Sequence, residues 1–139
     1  MLAAPALASD QDDAMATVTQ FIGAFNAGNA DDAIALCEDE TNILDDFAPY
    51  VWDGEGACAG WINDYGDYAA ANEISGAVVT AKTPKHVDVS GDDAYVVLPV
   101  SYAYTQKGMK VSEPNSMLTI ALPKEDEGWR ISAWAWSKD

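Results

Sequence analysis

Few of the 139 side chains are of types that do chemistry. There is one histidine, His86, and there are two cysteines, Cys37 and Cys58, with no C-x-x-C and no His near either thiol, so no metal site is predicted. Ser101, Ser112 and Ser116 have no histidine in any nucleophile pattern, which leaves covalent catalysis without support. No glycine-rich phosphate loop is present, so neither nucleotide nor flavin is implied and no cofactor is expected. What remains is carboxylate chemistry. Of the 23 Asp+Glu, most fall in turns and helix ends, as in Asp31-Asp32, Asp92-Asp93 and Glu125-Asp126-Glu127, where they solubilise rather than react. The doublet Asp45-Asp46 stands in an extended stretch, where successive side chains point to opposite faces and one of the two must turn away.

Seven Lys+Arg against those 23 acids give a formal net charge of −16. So few cations cannot form the footprint that neutralises phosphates, so nucleic acid and anionic membrane surfaces are poor partners. No apolar run is long enough to span a bilayer. A hydrophobic fraction of 49% with 10% aromatic residues is too apolar for disorder and suits one folded domain.

The elements that must position these groups can be read from periodicity. Met15, Val18, Phe21, Ile22 and Phe25 recur at three and four, one face of a helix over residues 13–25. Asn26-Ala27-Gly28-Asn29 stops it, and Asn29 can cap a second helix over residues 30–38. Two short strands, 41–47 and 50–52, are split by Pro49; a third helix over 57–72 carries Cys58, Trp61, Ile62, Tyr65 and Tyr68 on one side. Four long strands follow, 74–90, 94–106, 109–123 and 129–137, joined by turns short enough for antiparallel neighbours. Both cysteines then lie on helices, and the one pairing open to them is Cys37–Cys58, against two buried free thiols. Helices followed by an antiparallel meander make an α+β fold with the helices on one sheet face.

The N-terminus carries Ala6-Leu7-Ala8 before Ser9-Asp10, which fits the small-x-small end of a secretory signal peptide. Without a basic or long apolar segment ahead of it, residues 1–12 read as a signal remnant with Met1 added, or as an Ala-rich arm; residues 13–139 form the single domain. On the first reading the chain is periplasmic or secreted, on the second cytoplasmic.

Phe21-Ile22-Gly23-Ala24-Phe25-Asn26-Ala27-Gly28-Asn29, then Ala33-Ile34-Ala35-Leu36, resembles the start of the nuclear transport factor 2-like superfamily, which includes ketosteroid isomerases and SnoaL-like cyclases. Gly128-Trp129-Arg130-Ile131, continuing to Ser137, is similar to its terminal strand. The resemblance covers residues 13 to 138 and implies three helices packed in the concave face of a curved, mostly antiparallel sheet, a cone with a pocket, commonly in a homodimer. It places Asp45 where ketosteroid isomerases carry their general base. It also implies departures: the first-helix tyrosine that donates to the oxyanion corresponds to Phe21, and the protonated Asp of the penultimate strand to Ser116. Without two such donors an enolate loses several kcal/mol of stabilisation, so steroid isomerisation is not expected.

Alternation anchored on these positions gives the inward set Leu98, Val100, Tyr102 and Tyr104 on the second long strand, and Ser116, Leu118, Ile120 and Leu122 on the third. Val18, Phe21, Phe25, Trp61 and Tyr65 complete the wall from the helices. On the last strand Ala133 and Ala135 are expected to face the pocket, and Trp134 and Trp136 to form a homodimer interface on the other face. His86, alternating with Val87 and Val89, is expected to face solvent. Such a pocket suits a small hydrophobic or amphipathic ligand bound without catalysis. The alternatives are a cofactor-free isomerase, cyclase or hydratase with Asp45 as base, and an oligomerisation module whose cone is filled by side chains.

Overall fold

Helix α1 spans Ala3–Ala27 in the computed structural model, which describes residues 3–139. It starts ten residues before the apolar period does, running through most of the segment read as a remnant; residues 1–2 of that segment, with Met1, lie outside the described residues. Ala14, Val18, Phe21 and Ile22 form its buried stripe. Its end is closed by Gly28 in the left-handed region (φ 71°), with Asn29 N donating to Ala24 O at 2.9 Å. Asn29 then caps α2 (Ala30–Ala35), accepting from Asp32 N at 3.3 Å.

The second helix is shorter than expected. Cys37, placed on it by periodicity, instead opens β1 (Cys37–Leu44), because residues 37–44 find a parallel partner in the last strand. Ile131 N donates to Leu36 O and Arg130 Nη2 to Cys37 O, both at 2.8 Å, so backbone pairing outweighs the local helical pattern. After β2 (Val51–Trp52) comes α3 (Ala57–Ala71), as predicted within a residue.

The stretch expected as one strand over 74–90 is two, β3 (Ile74–Ala81) and β4 (His86–Ser90), because Pro84 lacks the N–H a ladder needs. Both pair with β5 (Asp93–Gln106), which pairs along its length with β6 (Met109–Glu125). The sheet order is β2-β1-β8-β6-β5-β3, antiparallel except for β1 beside β8. Between Val100 and Tyr102 the β5–β6 register slips, since Pro114 and Asn115 sit opposite Ser101 alone; such bulges bend a strand and help wrap the sheet round the helices. Val96, Leu98, Val100, Ile120 and Leu122 face the helices and are sealed from solvent, as their alternation requires. Asn26 fastens the end of α1 to edge strand β3 through two 2.8 Å bonds with the Val79 backbone, doing the work of a neighbouring strand.

The last strand is also split, into β7 (Gly128–Trp129) and β8 (Ile131–Ser137), and here the expected faces are reversed. Trp134 stands opposite Ile120 and Trp136 opposite Leu118, while Ala133 and Ala135 stand opposite Ala121 and Thr119. Residues directly opposite share a face, so both indoles enter the concave side and both alanines lie on the convex side. The alternation begun by buried Trp129 and Ile131 breaks before buried Trp134, where the β1–β8 register also slips between Cys37 and Asn42. A one-residue slip transfers every following side chain to the other face. Trp134 and Trp136 are therefore not an exposed interface, and Ala133 and Ala135 do not line the pocket.

Cys37 and Cys58 are joined as a disulfide, Cα atoms 6.4 Å apart, tying the start of β1 to the first turn of α3 across 21 residues of sequence. Closing a loop of that size stabilises by about 3 kcal/mol. Replacing both cysteines by serine is expected to lower the stability read from urea unfolding by about that amount. Reductant should shift the unmodified chain equally and leave the double variant unmoved; coincident midpoints would mean the bridge contributes nothing.

Candidate functional site

Along β1, Ile43 is buried and Leu44 half exposed, and the same alternation turns Asp45 inward just beyond the strand, while Asp46 is exposed and still reaches the cavity lining. The loop that follows contains the cis Ala48–Pro49 bond and is closed by Asp45 N donating to Tyr50 O and Tyr50 N to Phe47 O, each at 2.9 Å. The Asp45 carboxylate is held at both oxygens: Trp61 Nε1 donates to Oδ2 at 2.8 Å and Asp46 N to Oδ1 at 2.7 Å. Burial pushes its pKa up to about 6; the two hydrogen bonds pull the other way and the neighbouring Asp46 charge pushes it up further.

Asp45 opens onto a cavity of about 270 Å³ between the helices and the sheet. Ten of its eighteen lining residues are aromatic, which makes this a site for flat or apolar matter. Phe21 and Phe25 come from α1, Phe47 from the loop after Asp45, Trp61, Tyr65 and Tyr68 from α3, Tyr102 and Tyr104 from β5, and Trp134 and Trp136 from β8. The rings brace one another. Trp61 meets Trp134 edge-on at 4.8 Å, Phe25 meets Tyr65 at 5.0 Å and Tyr102 meets Trp136 at 6.0 Å.

The polar groups are few. The Tyr65 and Tyr102 hydroxyls lie 2.5 Å apart, and burial drives the pKa of each upward, so both remain phenols. Two phenols sharing one hydrogen bond leave one O–H over, with no acceptor among the described residues. Tyr104 donates to Glu113 at 3.3 Å, and Asp46 and Lys138 complete the lining. No three His, Cys, Asp or Glu side chains are placed close enough together to hold a metal ion among the described residues.

Of the residues expected at the pocket, the structure brings together Asp45, Phe21, Phe25, Trp61, Tyr65, Tyr102 and Leu118. Val18, Val100 and Ser116 lie on the correct face but in the packed core outside the lining, and the Ser116 hydroxyl is buried without a partner. His86 is exposed on β4, opposite Val97, as expected. Phe47 and Tyr68 were open to discovery by pattern, the first continuing the alternation of Ile43 and Asp45, the second one helical turn beyond Tyr65. Glu113 was not, since the bulge at Pro114 and Asn115 reverses its face.

Comparison with solved structures shows the same architecture in an NTF2-like protein with a cystatin-like fold from Novosphingobium aromaticivorans: TM-score 0.79, 18% identity, 98% of this chain and 86% of that one covered. A ketosteroid isomerase-like protein from Erwinia carotovora atroseptica superposes with a TM-score of 0.73 at 18% identity, covering 93% of this chain and 95% of that one. An NTF2-like superfamily protein from Salmonella enterica serovar Typhimurium gives 0.79 at 11% identity, covering 95% and 92%. At these identities the likeness is one of fold. A comparison with curated proteins gives no match. The sequence itself matches the SnoaL-like domain over residues 14–137, a span that holds every side chain lining the cavity except Lys138. By that match the chain belongs to the SnoaL-like family, and it shares its fold with NTF2-like proteins.

Proposed function

We propose that the chain binds a small hydrophobic or amphipathic molecule in the aromatic cavity, without a cofactor. The observation that carries this reading is the cavity itself: an aromatic wall around about 270 Å³ of space, with Asp45 and one spare phenol O–H as its inner polar groups. An oligomerisation module would have that space filled by side chains. Its size suits a ligand of one or two rings. Titration with indole or 2-naphthol, followed by the fluorescence of Trp61, Trp134 and Trp136, is expected to saturate, and Trp136→Ala to weaken binding about tenfold. Signals that stay linear with concentration would remove the binding reading.

A second reading is favoured by Asp45, whose raised pKa suits a general base near neutral pH. Phe21 and Ser116 withhold the two oxyanion donors, and the Tyr65–Tyr102 pair offers one donor in their place. Isomerisation of cyclohex-3-enone to the conjugated enone should then rise with pH to a plateau above about 6 and fall at least about 100-fold in Asp45→Asn. A rate no higher than buffer would leave binding alone.

The same carboxylate has a signature in stability. Its pKa is higher folded than unfolded, so between about pH 4 and 6 the folded chain keeps a proton the unfolded chain has lost. Asp45 thus favours folding most below that window, and this contribution, up to about 3 kcal/mol, is lost as pH rises through 6. The gain in stability from pH 7 to pH 4.5 is expected to be smaller in Asp45→Asn than in the unmodified chain; parallel curves would place Asp45 in water.

Two further expectations belong to this reading. The buried Cys37–Cys58 bridge supports work in an oxidising compartment, periplasmic or extracellular. A homodimer, if formed through the sheet, would use its convex face, where Tyr95 and Val97 adjoin Thr119, Ala121, Ala133 and Ala135. Sedimentation at micromolar concentration is expected to show a dimer that Ala133→Glu dissociates; a monomeric unmodified chain would remove it.

A further inference from the structure

The charges of the cavity are as one-sided as those of the chain. Asp45, Asp46 and Glu113 bring three carboxylates to its lining, against the single ammonium of Lys138. No Lys, Arg or His pairs with any of the three among the described residues: the ion pairs there, Lys124–Asp10 and Arg130–Glu127, involve none of the lining. Asp45 in particular is held by an indole N–H and a backbone N–H, both neutral donors. It is an anion enclosed by rings with no counter-ion of its own.

An anionic ligand would meet these carboxylates with only exposed Lys138 to offset them. A neutral ligand would leave the Asp45 charge uncompensated in apolar surroundings. Aromatic faces carry negative quadrupoles that attract cations, most strongly where water is excluded, and tryptophan is the best of them. Trp61, Trp134 and Trp136 supply three such rings to the cavity that holds the carboxylate. A surface of 23 acids against seven bases also raises the local concentration of cations and hastens their encounter.

Building on the ligand-binding reading, we infer that the ligand is a small organic ammonium ion with an apolar body, its charge set between the Asp45 carboxylate and the tryptophan faces. Asp45 then acts as counter-ion, and the spare O–H of the Tyr65–Tyr102 pair serves any acceptor on the ligand body. The titratable groups that share the cavity with Asp45 are Asp46 beside it, Tyr65 and Tyr68 on α3, Tyr102 and Tyr104 on β5, Glu113 on β6 and Lys138 after β8. Burial keeps Tyr65, Tyr102 and Tyr104 in their neutral form, so they do not compete for the cation as anions or repel it as charges. Asp45, pushed up to about 6 by burial, is the group whose ionisation switches cation binding on as pH rises.

Phenyltrimethylammonium and tert-butylbenzene have the same shape and differ by one charge, so titrating each into the unmodified protein, by tryptophan fluorescence at pH 8 and pH 5, separates charge from size. The cation is expected to bind at least about tenfold more tightly at pH 8, with the preference narrowing at pH 5 as Asp45 takes a proton. In Asp45→Asn, with folding checked by circular dichroism, cation affinity should fall about tenfold and that of tert-butylbenzene should hold. Equal or tighter binding of tert-butylbenzene at pH 8, or a folded Asp45→Asn that keeps full cation affinity, overturns the inference and leaves the ligand-binding reading standing. Failure of both probes to saturate overturns that reading and the inference with it. Should Asp45→Asn not fold, the two-probe ratio at two pH values on the unmodified chain decides the matter by itself.

Discussion

One side chain, Trp61, joins α1, α3, β8 and the Asp45 carboxylate at the cavity. Its N–H holds the Asp45 carboxylate, and its ring lies against Phe21 and Phe25 of α1, Tyr65 of its own helix and Trp134 of β8. For those contacts to coexist, α3 must sit at a fixed depth in the sheet. Cys58, one helical turn before Trp61 and on the same side of α3, is bonded to Cys37 at the start of β1, the strand that leads to Asp45. Strand and helix are thus tied twice, by the bridge at the start of β1 and by the indole–carboxylate bond just past its end, both within the first two turns of α3. The cavity opens at the second of these ties and is lined also by Tyr102 and Tyr104 of β5 and Glu113 and Leu118 of β6.

The carboxylate at this junction carries a cost in stability. Two good hydrogen bonds leave its pKa near 6, so they fall short of the solvation it lost on burial. A fold under pressure only to be stable would place an amide or an apolar residue there. A cost of this kind, borne beside a cavity, is the usual mark of a working group. The other acids behave differently. Asp31 and Asp32 sit in the first turn of α2, where the helix dipole favours anions, Glu125 is exposed at the end of β6, and Asp92, Asp126 and Glu127 are exposed in turns. Net charge and reactive charge are separable in this chain, and the sheet and helices do the separating.

Legibility in the sequence followed how local the cause of each feature is. Helical period placed α1 and α3, and the cap at Asn29 placed the start of α2, because those patterns are written within one turn of chain. The end of α2 escaped, since Cys37 leaves the helix to pair with a strand more than ninety residues away. Pro84 was visible, yet its consequence depends on β5 being a shared partner on both sides of it. The costliest error arose in β8. Alternation read through Arg130 put Trp134 and Trp136 outside, whereas pairing with Ile120 and Leu118 puts them inside. Period-2 reasoning fixes faces only relative to one another, and a single slip inverts all that follows. Half of the aromatic character now seen on the sheet side of the cavity comes from the two residues that error displaced.

That inversion changes the chemistry the fold can offer. With Ala133 and Ala135 inside, the pocket would be wide and bland, and Asp45 an isolated base facing methyl groups. With the indoles inside, the space narrows and is walled by electron-rich faces close to an unpaired carboxylate. Phe21 carries no hydroxyl and Ser116 is sunk in the core, so neither offers the cavity a donor. In this chain Asp45 shares its cavity with ten aromatic rings. A carboxylate among donors is suited to moving a proton onto oxygen; a carboxylate among rings is suited to holding positive charge. Fold alone decides neither, and in this molecule the register of seven residues in β8 sets the balance.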